Sequence, residues 1–278
     1  MSYQTILVQL DGTPRDKERL DIAARIGARD RAHLVGLFVI HPFYPSLGTF
    51  GDPAAGVVAD MQRQYREEAA KTAEAVRATA EKAASDAGLP IEWRAVEGFA
   101  EDIVPIHARY ADLNILGQPD PDSAEPGVSR SLAVLTVMHA GRPVLTIPYA
   151  GQFATLGETV LVAWNGSREA ARAVHDAMPL LKAAKSVSVL SVNPQAGNHI
   201  AGFDISAQLA RHGVNTEAVR TVSEDVSVGD LLLSEAADLG SDLIVMGGYG
   251  RSRLREFILG GVSQTLMSTM TVPVFMSH

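Results

Sequence analysis

The sequence contains an internal repeat. The segment "TILVQLDGTPRDKERLDIAARIGAR" near the N-terminus has a counterpart in "TVLVAWNGSREAARAVHDAMPLLKA", so that Asp11 corresponds to Asn165, 154 residues later. Two later pairs, "ADLNILGQ" with "SDLIVMGG" and "GRPVLTIP" with "TVPVFMSH", share an offset of 130, as from Asp112 to Asp242. The first copy is therefore 24 residues longer, which is the difference between the two offsets. A repeat of this length indicates a duplicated fold.

Each copy alternates short apolar runs with helical segments. Runs such as "LIVMG" and "VLTIP" are apolar throughout, which is typical of parallel strands covered on both faces by helices. We therefore predict an α/β protein with two similar doubly wound domains, each an open, mainly parallel five-stranded sheet flanked by helices. The domains are expected to span 1–150 and 155–278, with "YAGQFATLGE" as the linker. The closing strands, "PVLTIP" and "PVFM", could pair edge to edge and make the two halves an internal pseudo-dimer.

Composition excludes several classes of function. The net charge of −8 argues against a general attraction to nucleic acid or to anionic membranes. There is no cysteine, which excludes disulfides, thiolate metal sites and cysteine nucleophiles. The eight histidines lack metal-binding spacing, so no metal is predicted other than the Mg²⁺ that accompanies a nucleotide. Because neither a basic leader nor a long apolar run is present, we expect a cytoplasmic protein.

Glycines in the second copy form a candidate phosphate site. The spacing is Gly247-x-x-Gly250, nine residues, then Gly260-Gly261, and Arg251 adds positive charge. In doubly wound sheets, ligands bind beyond the carboxyl ends of the strands, where the strand order reverses. Glycines at the start of the last helix would leave its unpaired N–H groups open to an oxyanion. The alternative is that the glycines serve only a turn or the close approach of another part of the protein.

The first copy lacks this pattern. At the 130-residue offset, Asp120 stands in place of Gly250, and Arg130-Ser131 in place of Gly260-Gly261. The segment "QPDPDSAEPG" is acidic and rich in proline, which removes N–H donors. The first copy is therefore expected to be a structural partner or to bind something different. Its extra helix, "QRQYREEAAKTAEAVRATAEKAA", either presents a solvated face or shields the first-copy cleft.

With these motifs the chain resembles a tandem universal stress protein, two such domains in one chain. The resemblance rests on G-x-x-G-x9-G after a strand that ends in Met246-Gly247, and on the closing Pro273-Val274 strand. It implies an adenine nucleotide α-hydrolase-like fold, dimerisation through the last strand with a possible homodimer, and, in one branch of the family, ATP binding. The nucleotide-binding residues that it implies are Asn165, Val192, Met246, Gly247, Gly250, Arg251, Gly260, Gly261, Val262 and Ser263.

The same resemblance assigns roles to these residues. Val192 would line the adenine, and Asn165 would stand where the family has an aspartate at the nucleoside. Met246 and Gly247 would lie by the ribose and adenine, and the phosphates would lie by Gly250, Gly260, Gly261 and Val262. Two departures weaken the match, because Gly261 replaces a Ser or Thr, although Ser263 is near, and Asn165 lacks the charge of Asp. Each lost hydrogen bond to a charged group costs about 1.5–3 kcal/mol, so we expect weakened but retained binding.

These observations favour a stress-response-type sensor or regulator that binds ATP, ADP or AMP in its C-terminal domain. No catalytic constellation is evident, since the Walker lysine is missing and no G-x-S-x-G surrounds Ser167. Ser167 is instead predicted to cap the helix that follows it. Two alternatives remain. One is a nucleotide-free scaffold acting through protein partners, and the other is an enzyme, at most a weak ATPase or a hydrolase that uses the first-copy pocket.

Overall fold

A computed structural model describes residues 2–43, 55–122, 131–192, 203–221, 226–248 and 261–278. The first half contains β1 (Thr5–Leu10), α1 (Asp16–Asp30), β2 (His33–Ile40), α2 (Ala55–Asp86), β3 (Ile91–Glu97), α3 (Ala100–Ala108), β4 (Leu113–Gly117), α4 (Leu132–Ala140) and β5 (Val144–Ile147). The second half contains β6 (Thr159–Ala163), α5 (Arg168–Asp176), α6 (Met178–Leu181), β7 (Ser186–Val192), α7 (Phe203–Arg211), β8 (Thr216–Thr221), α8 (Val228–Asp238), β9 (Leu243–Gly247), α9 (Gly261–Thr269) and β10 (Val274–Ser277).

The ten strands form one sheet in the order β3-β2-β1-β4-β5-β10-β9-β6-β7-β8. Within each half, neighbouring strands are parallel, which confirms the predicted doubly wound α/β fold with five strands in each half. The halves meet where β5 and β10 pair antiparallel, with Leu145 opposite Phe275. The suggested pairing of the closing strands is therefore present, and it merges the two five-stranded sets into one continuous sheet.

The two halves share strand register as well as strand order. Leu113 pairs with Ile6 in the first half, and Leu243 pairs with Val160 in the second. These partners differ by the same offsets, 130 and 154, that relate the two copies in the sequence. The sequence repeat therefore corresponds to a repeat of hydrogen-bonded structure.

The repeated aspartates have the same structural role in both halves. The Asp112 carboxylate accepts hydrogen bonds from the N–H groups of Gln4 and Thr5, at 2.9 and 3.0 Å. The Asp242 carboxylate accepts from the N–H groups of residues 157–159, at 2.9 to 3.1 Å. Each aspartate thus satisfies the backbone donors at the amino end of the first strand of its half, which a buried backbone requires.

The extra length of the first copy is taken up largely by α2, which is 32 residues long. Only its C-terminal half packs into the core, through small and apolar residues three or four positions apart: Ala73, Val76, Ala80 and Ala84. Nearer its N-terminus, the Tyr65 hydroxyl donates to the His41 carbonyl just after β2, at 2.9 Å. Helix α2 therefore continues past the carboxyl edge of the first half, beside the first-copy cleft.

No helix in the described ranges is long and apolar enough to cross a membrane. The cytoplasmic location expected from the sequence stays a prediction.

Candidate functional site

The strand order of the second half reverses between β6 and β9, because the chain leaves β6 toward β7 while β9 lies on the other side. Gly247 ends β9, Val192 ends β7, and Asn165 follows β6 by two residues. Since these parallel strands are adjacent, the three residues lie along one edge of the sheet. This edge is the crevice in which doubly wound folds bind ligands.

Asn165 builds the turn between β6 and α5. Its side-chain oxygen accepts a hydrogen bond from the N–H of Ser167 at 3.0 Å, and Gly166 between them has a φ of 73°. The Ser167 hydroxyl then accepts from the N–H of Ala170 at 3.1 Å. Ser167 is therefore the N-cap of α5, as predicted. Asn165 is exposed, but its oxygen already serves the turn.

Gly247 and the neighbouring Gly248 are in contact with other parts of the protein. A Cβ at Gly247 would overlap the backbone nitrogen of Ala170 and lie 2.6 Å from the carbonyl carbon of Glu169. A Cβ at Gly248 would lie 2.9 Å from Cγ1 of Val137 on α4. The absence of side chains at these positions is thus explained by the approach of α5 and of the first half. At Gly247 and Gly248, the structure therefore agrees with the alternative interpretation, in which glycine allows another part of the protein to approach closely.

The last helix contains one of the two glycines that were predicted to open it. The described part of α9 begins with Gly261, and Val262 is half-buried and Ser263 buried within it. Because α9 runs from the carboxyl end of β9 back to the amino end of β10, its first turn lies at the same edge as Asn165. The predicted site residues Gly250, Arg251 and Gly260 lie outside the described residues.

A buried carboxylate, Glu169, lies in the first turn of α5 beside Gly247. Its side chain is 5% exposed and is ion-paired with Arg168 Nε. Burial acts to raise the pKa of Glu169, but hydrogen bonds from Arg168, from its own N–H and from Ser167 outweigh burial, so the pKa lies below its ordinary value. The negative charge suits a helix N-terminus. It also makes this end of α5 unfavourable for phosphate, in contrast to the start of α9.

The turn after β1 in the first half, which corresponds to the turn at Asn165, is surrounded by charged side chains. Asp11 accepts hydrogen bonds from the N–H and hydroxyl of Thr13, at 3.1 and 2.7 Å, and from Arg19 Nη2 at 2.6 Å. Asp16 accepts from the N–H groups of Asp11 and Gly12, at 3.1 and 2.8 Å, and also pairs with Arg19. We call Asp11, Asp16 and Arg19 the buried ion triad. Its arginine side chain is only 3% exposed.

The triad fills the first-half crevice. A Cβ at Gly117, the last residue of β4 and the counterpart of Gly247, would overlap Nη1 of Arg19. Burial acts to lower the pKa of Arg19, but the two carboxylates raise it above its ordinary value. Burial acts to raise the pKa of Asp11, but Arg19 and Thr13 bring it below the ordinary value. For Asp16, burial and the neighbouring Asp11 charge outweigh Arg19, and its pKa is raised.

Sequence reasoning did not single out Asp16, Arg19 or Glu169. The sequence did indicate that Asp16 and Arg19 are buried, because both lie on the same helical stripe as the buried residues Leu20 and Ala23 of α1. Charged residues at core-facing positions of an amphipathic helix indicate a buried ion pair. Among the residues that the structure describes, no group of three or more histidine or acidic side chains could hold a metal ion.

Comparison with known proteins agrees with this architecture. Residues 157–278 match the model of the universal stress protein family. A universal stress protein from Archaeoglobus fulgidus DSM 4304 superposes with a TM-score of 0.77 at 17% identity, covering 98% of this chain and 95% of that one. A protein from Pseudomonas aeruginosa UCBPP-PA14, described as a universal stress protein, superposes with a TM-score of 0.58 at 16% identity, covering 99% and 93%. Comparison with curated protein sequences gave no match.

The fold and its crevice define an α/β protein of the adenine nucleotide α-hydrolase-like class, built from two copies of one plan. The second half is a universal stress protein domain, and the chain as a whole has the architecture of a tandem-type universal stress protein.

Proposed function

We propose that the protein is a stress-response-type sensor or regulator that binds an adenine nucleotide, ATP, ADP or AMP, without catalysing a reaction. Residues 155–278 would form the nucleotide-binding domain and residues 1–150 a supporting domain. One observation carries the proposal: the described part of α9, which begins with Gly261, starts at the sheet edge where Val192 and Gly247 end their strands and Asn165 follows β6. The counterpart of this edge in the first half is filled by the buried ion triad.

The residues at this edge fit a nucleotide in a definite orientation. The first N–H groups of α9 have no intrahelical acceptor and lie at the positive end of the helix dipole, so they suit phosphate oxygens. Ser263 provides a hydroxyl in the same turn, where Gly261 provides none. Half-buried Val192 offers apolar surface to the base. The Glu169 carboxylate keeps the phosphates away from α5, and any Mg²⁺ would come with the nucleotide.

Isothermal titration with ATP, ADP and AMP in the presence of Mg²⁺ tests the proposal. We expect one site per chain, since in the first half the buried ion triad occupies the corresponding position. Ser263→Ala should weaken binding about three- to tenfold, because it removes one hydroxyl from the first turn of α9. The control is Ser268→Ala, at the other end of the same helix, where the hydroxyl donates to the Thr265 carbonyl at 2.9 Å. No heat from any of the three nucleotides up to millimolar concentration would contradict the proposal.

A second candidate is a nucleotide-free scaffold, an internal pseudo-dimer that acts through protein partners. It is favoured by Gly247 and Gly248, because both are accounted for by contacts within the protein. Denaturing protein purified from cells and analysing the supernatant by ion exchange distinguishes the two, since only a binding protein should release nucleotide. A turnover assay with ATP addresses the weak ATPase. The homodimer stays a prediction.

A further inference from the structure

The first half contacts α9, the last helix of the second half, through Gln118, which directly follows β4. Its amide nitrogen Nε2 donates a hydrogen bond to the carbonyl of Met267 on α9, at 2.9 Å. Its oxygen Oε1 accepts from the N–H of Tyr149, at the start of the linker, at 3.1 Å. The residue is 7% exposed. A single buried amide therefore joins β4, the linker and the last helix of the other half.

The bond to Met267 supports α9 at its free end. Met267 lies in the last turn of α9, where carbonyls lack intrahelical donors, so Gln118 caps this helix from the opposite half. On its other side α9 packs on α8, because a Cβ at Gly229 would lie 2.8 Å from Cβ of Thr265. A nine-residue helix is a rigid rod of about 13 Å. Fixing its last turn therefore also orients its first turn at Gly261.

Gly248, which directly follows β9, is supported by Val137 of α4. Its Cγ1 occupies the space into which a side chain at Gly248 would project. A valine in a helix has one strongly preferred rotamer, so this contact is stiff. On the remaining sides, the N–H of Gly248 donates to the Ser277 carbonyl at 2.8 Å, and its carbonyl lies 3.0 Å from Nδ1 of His278. Gly248 is thus fixed between β10 and the first half.

From these two contacts we propose that Gln118 and Val137 are positioning residues of the first half that set the nucleotide affinity of the second. Gln118 orients α9 through Met267, and Val137 fixes the backbone at Gly248, directly after β9. The inference rests on the proposed function and deepens it: the half without a glycine motif completes the site of the half that has one.

Gln118→Met tests the first contact, because methionine keeps the volume and removes both hydrogen bonds. The matched control is Gln9→Met, since Gln9 is also 7% exposed and donates only within its own half, to the Leu10 carbonyl at 3.3 Å. Gln118→Met should weaken ATP binding by about three- to tenfold in isothermal titration. It should also speed hydrogen exchange of the α9 amides, whereas the control should change neither. Gln118→Glu keeps the acceptor for Tyr149 and loses the donor, so it should behave as Gln118→Met.

The second contact is tested by Gly248→Ala, with and without Val137→Ala. The alanine Cβ should meet Val137 and displace the backbone at residue 248, which should weaken ATP binding. Removing the valine methyls should restore much of the lost affinity. Equal affinity and equal α9 exchange in Gln118→Met and Gln9→Met would overturn the inference. Failure of Val137→Ala to restore binding would overturn the role of Val137. If the unaltered protein binds no nucleotide, the proposed function itself fails, which is a distinct result.

Discussion

The two halves use the same crevice differently. In the first half the guanidinium of Arg19 lies against Gly117, and two carboxylates hold it there. In the second half the backbone of α5 itself lies against Gly247. Both halves need a glycine at the end of the corresponding strand, β4 or β9. Gly117 makes room for a charged side chain, and Gly247 makes room for a helix.

None of the three charged residues of the buried ion triad is retained in the second half. The counterparts of the buried ion triad in the second half, at the 154-residue offset, are all uncharged: Asn165, Ala170 and Ala173. A buried ion pair is costly to break but is often replaceable by uncharged packing. Duplicated halves can therefore keep one fold while the three triad positions are charged in one half and uncharged in the other.

The largest effect is expected from Arg19→Ala, which leaves two largely buried carboxylates without their cation. Removing one partner of a buried ion pair costs about 3–5 kcal/mol of unfolding free energy. Adding Asp11→Asn and Asp16→Ala reproduces the second-half residues and should recover a large part of that loss. Chemical denaturation at neutral pH measures both variants. Equal stability of the single and the triple variant would show that the triad does not act as a unit.

A second comparison is Gly247→Ala against Gly117→Ala. The alanine at 247 meets the backbone of α5, which cannot move without displacing the helix, so we expect a loss of about 3 kcal/mol, at the upper end for overpacking. The alanine at 117 meets the end of a flexible side chain and should cost less. In an Arg19→Ala background, Gly117→Ala should have almost no further effect on the denaturation midpoint. A further loss there would mean that another group fills the space.

Tyr3→Phe tests how the halves are joined. The buried Tyr3 hydroxyl donates to the carbonyl of Asp176 at the end of α5, at 2.8 Å. Its loss should lower the unfolding free energy by about 1 kcal/mol. The control Tyr110→Phe, at a residue that is 77% exposed, should stay within about 0.5 kcal/mol. Equal stability of the two variants would indicate that the bond between the halves contributes nothing.

The smallest effect is expected from the pH dependence of Glu169→Gln. Because the folded-state pKa of Glu169 lies below its ordinary 4.5, the unfolded chain binds this proton first as pH falls. The stability that the carboxylate contributes is present above the pKa of the unfolded state, and it is lost as pH falls through the folded-state pKa. Urea denaturation from pH 6 downward, within the folded range, should show a shallower decline for Glu169→Gln. A decline as steep as that of the unaltered protein would refute the assignment.

Most of the fold could be predicted from the sequence, and less of the site. The alternation of apolar runs with helical segments predicted the doubly wound α/β fold, and the repeat offset from Asp112 to Asp242 agrees with the strand register that the two halves share. Gly247 shows the limit, because a glycine that admits a phosphate and one that admits a helix look the same in a sequence. The contact of Gln118 with Met267 depends on how β5 and β10 align, which neither copy specifies alone.

The position of β10 has a consequence for synthesis of the chain. It comes last of the ten strands in chain order, yet it lies at the middle of the sheet, between β5 and β9. The first half is therefore made, and begins to fold, with the edge of β5 unpaired. An open strand edge of this kind is a template for pairing with other chains. Between emergence of β5 and arrival of β10, the nascent chain therefore exposes a strand edge that is covered in the finished sheet.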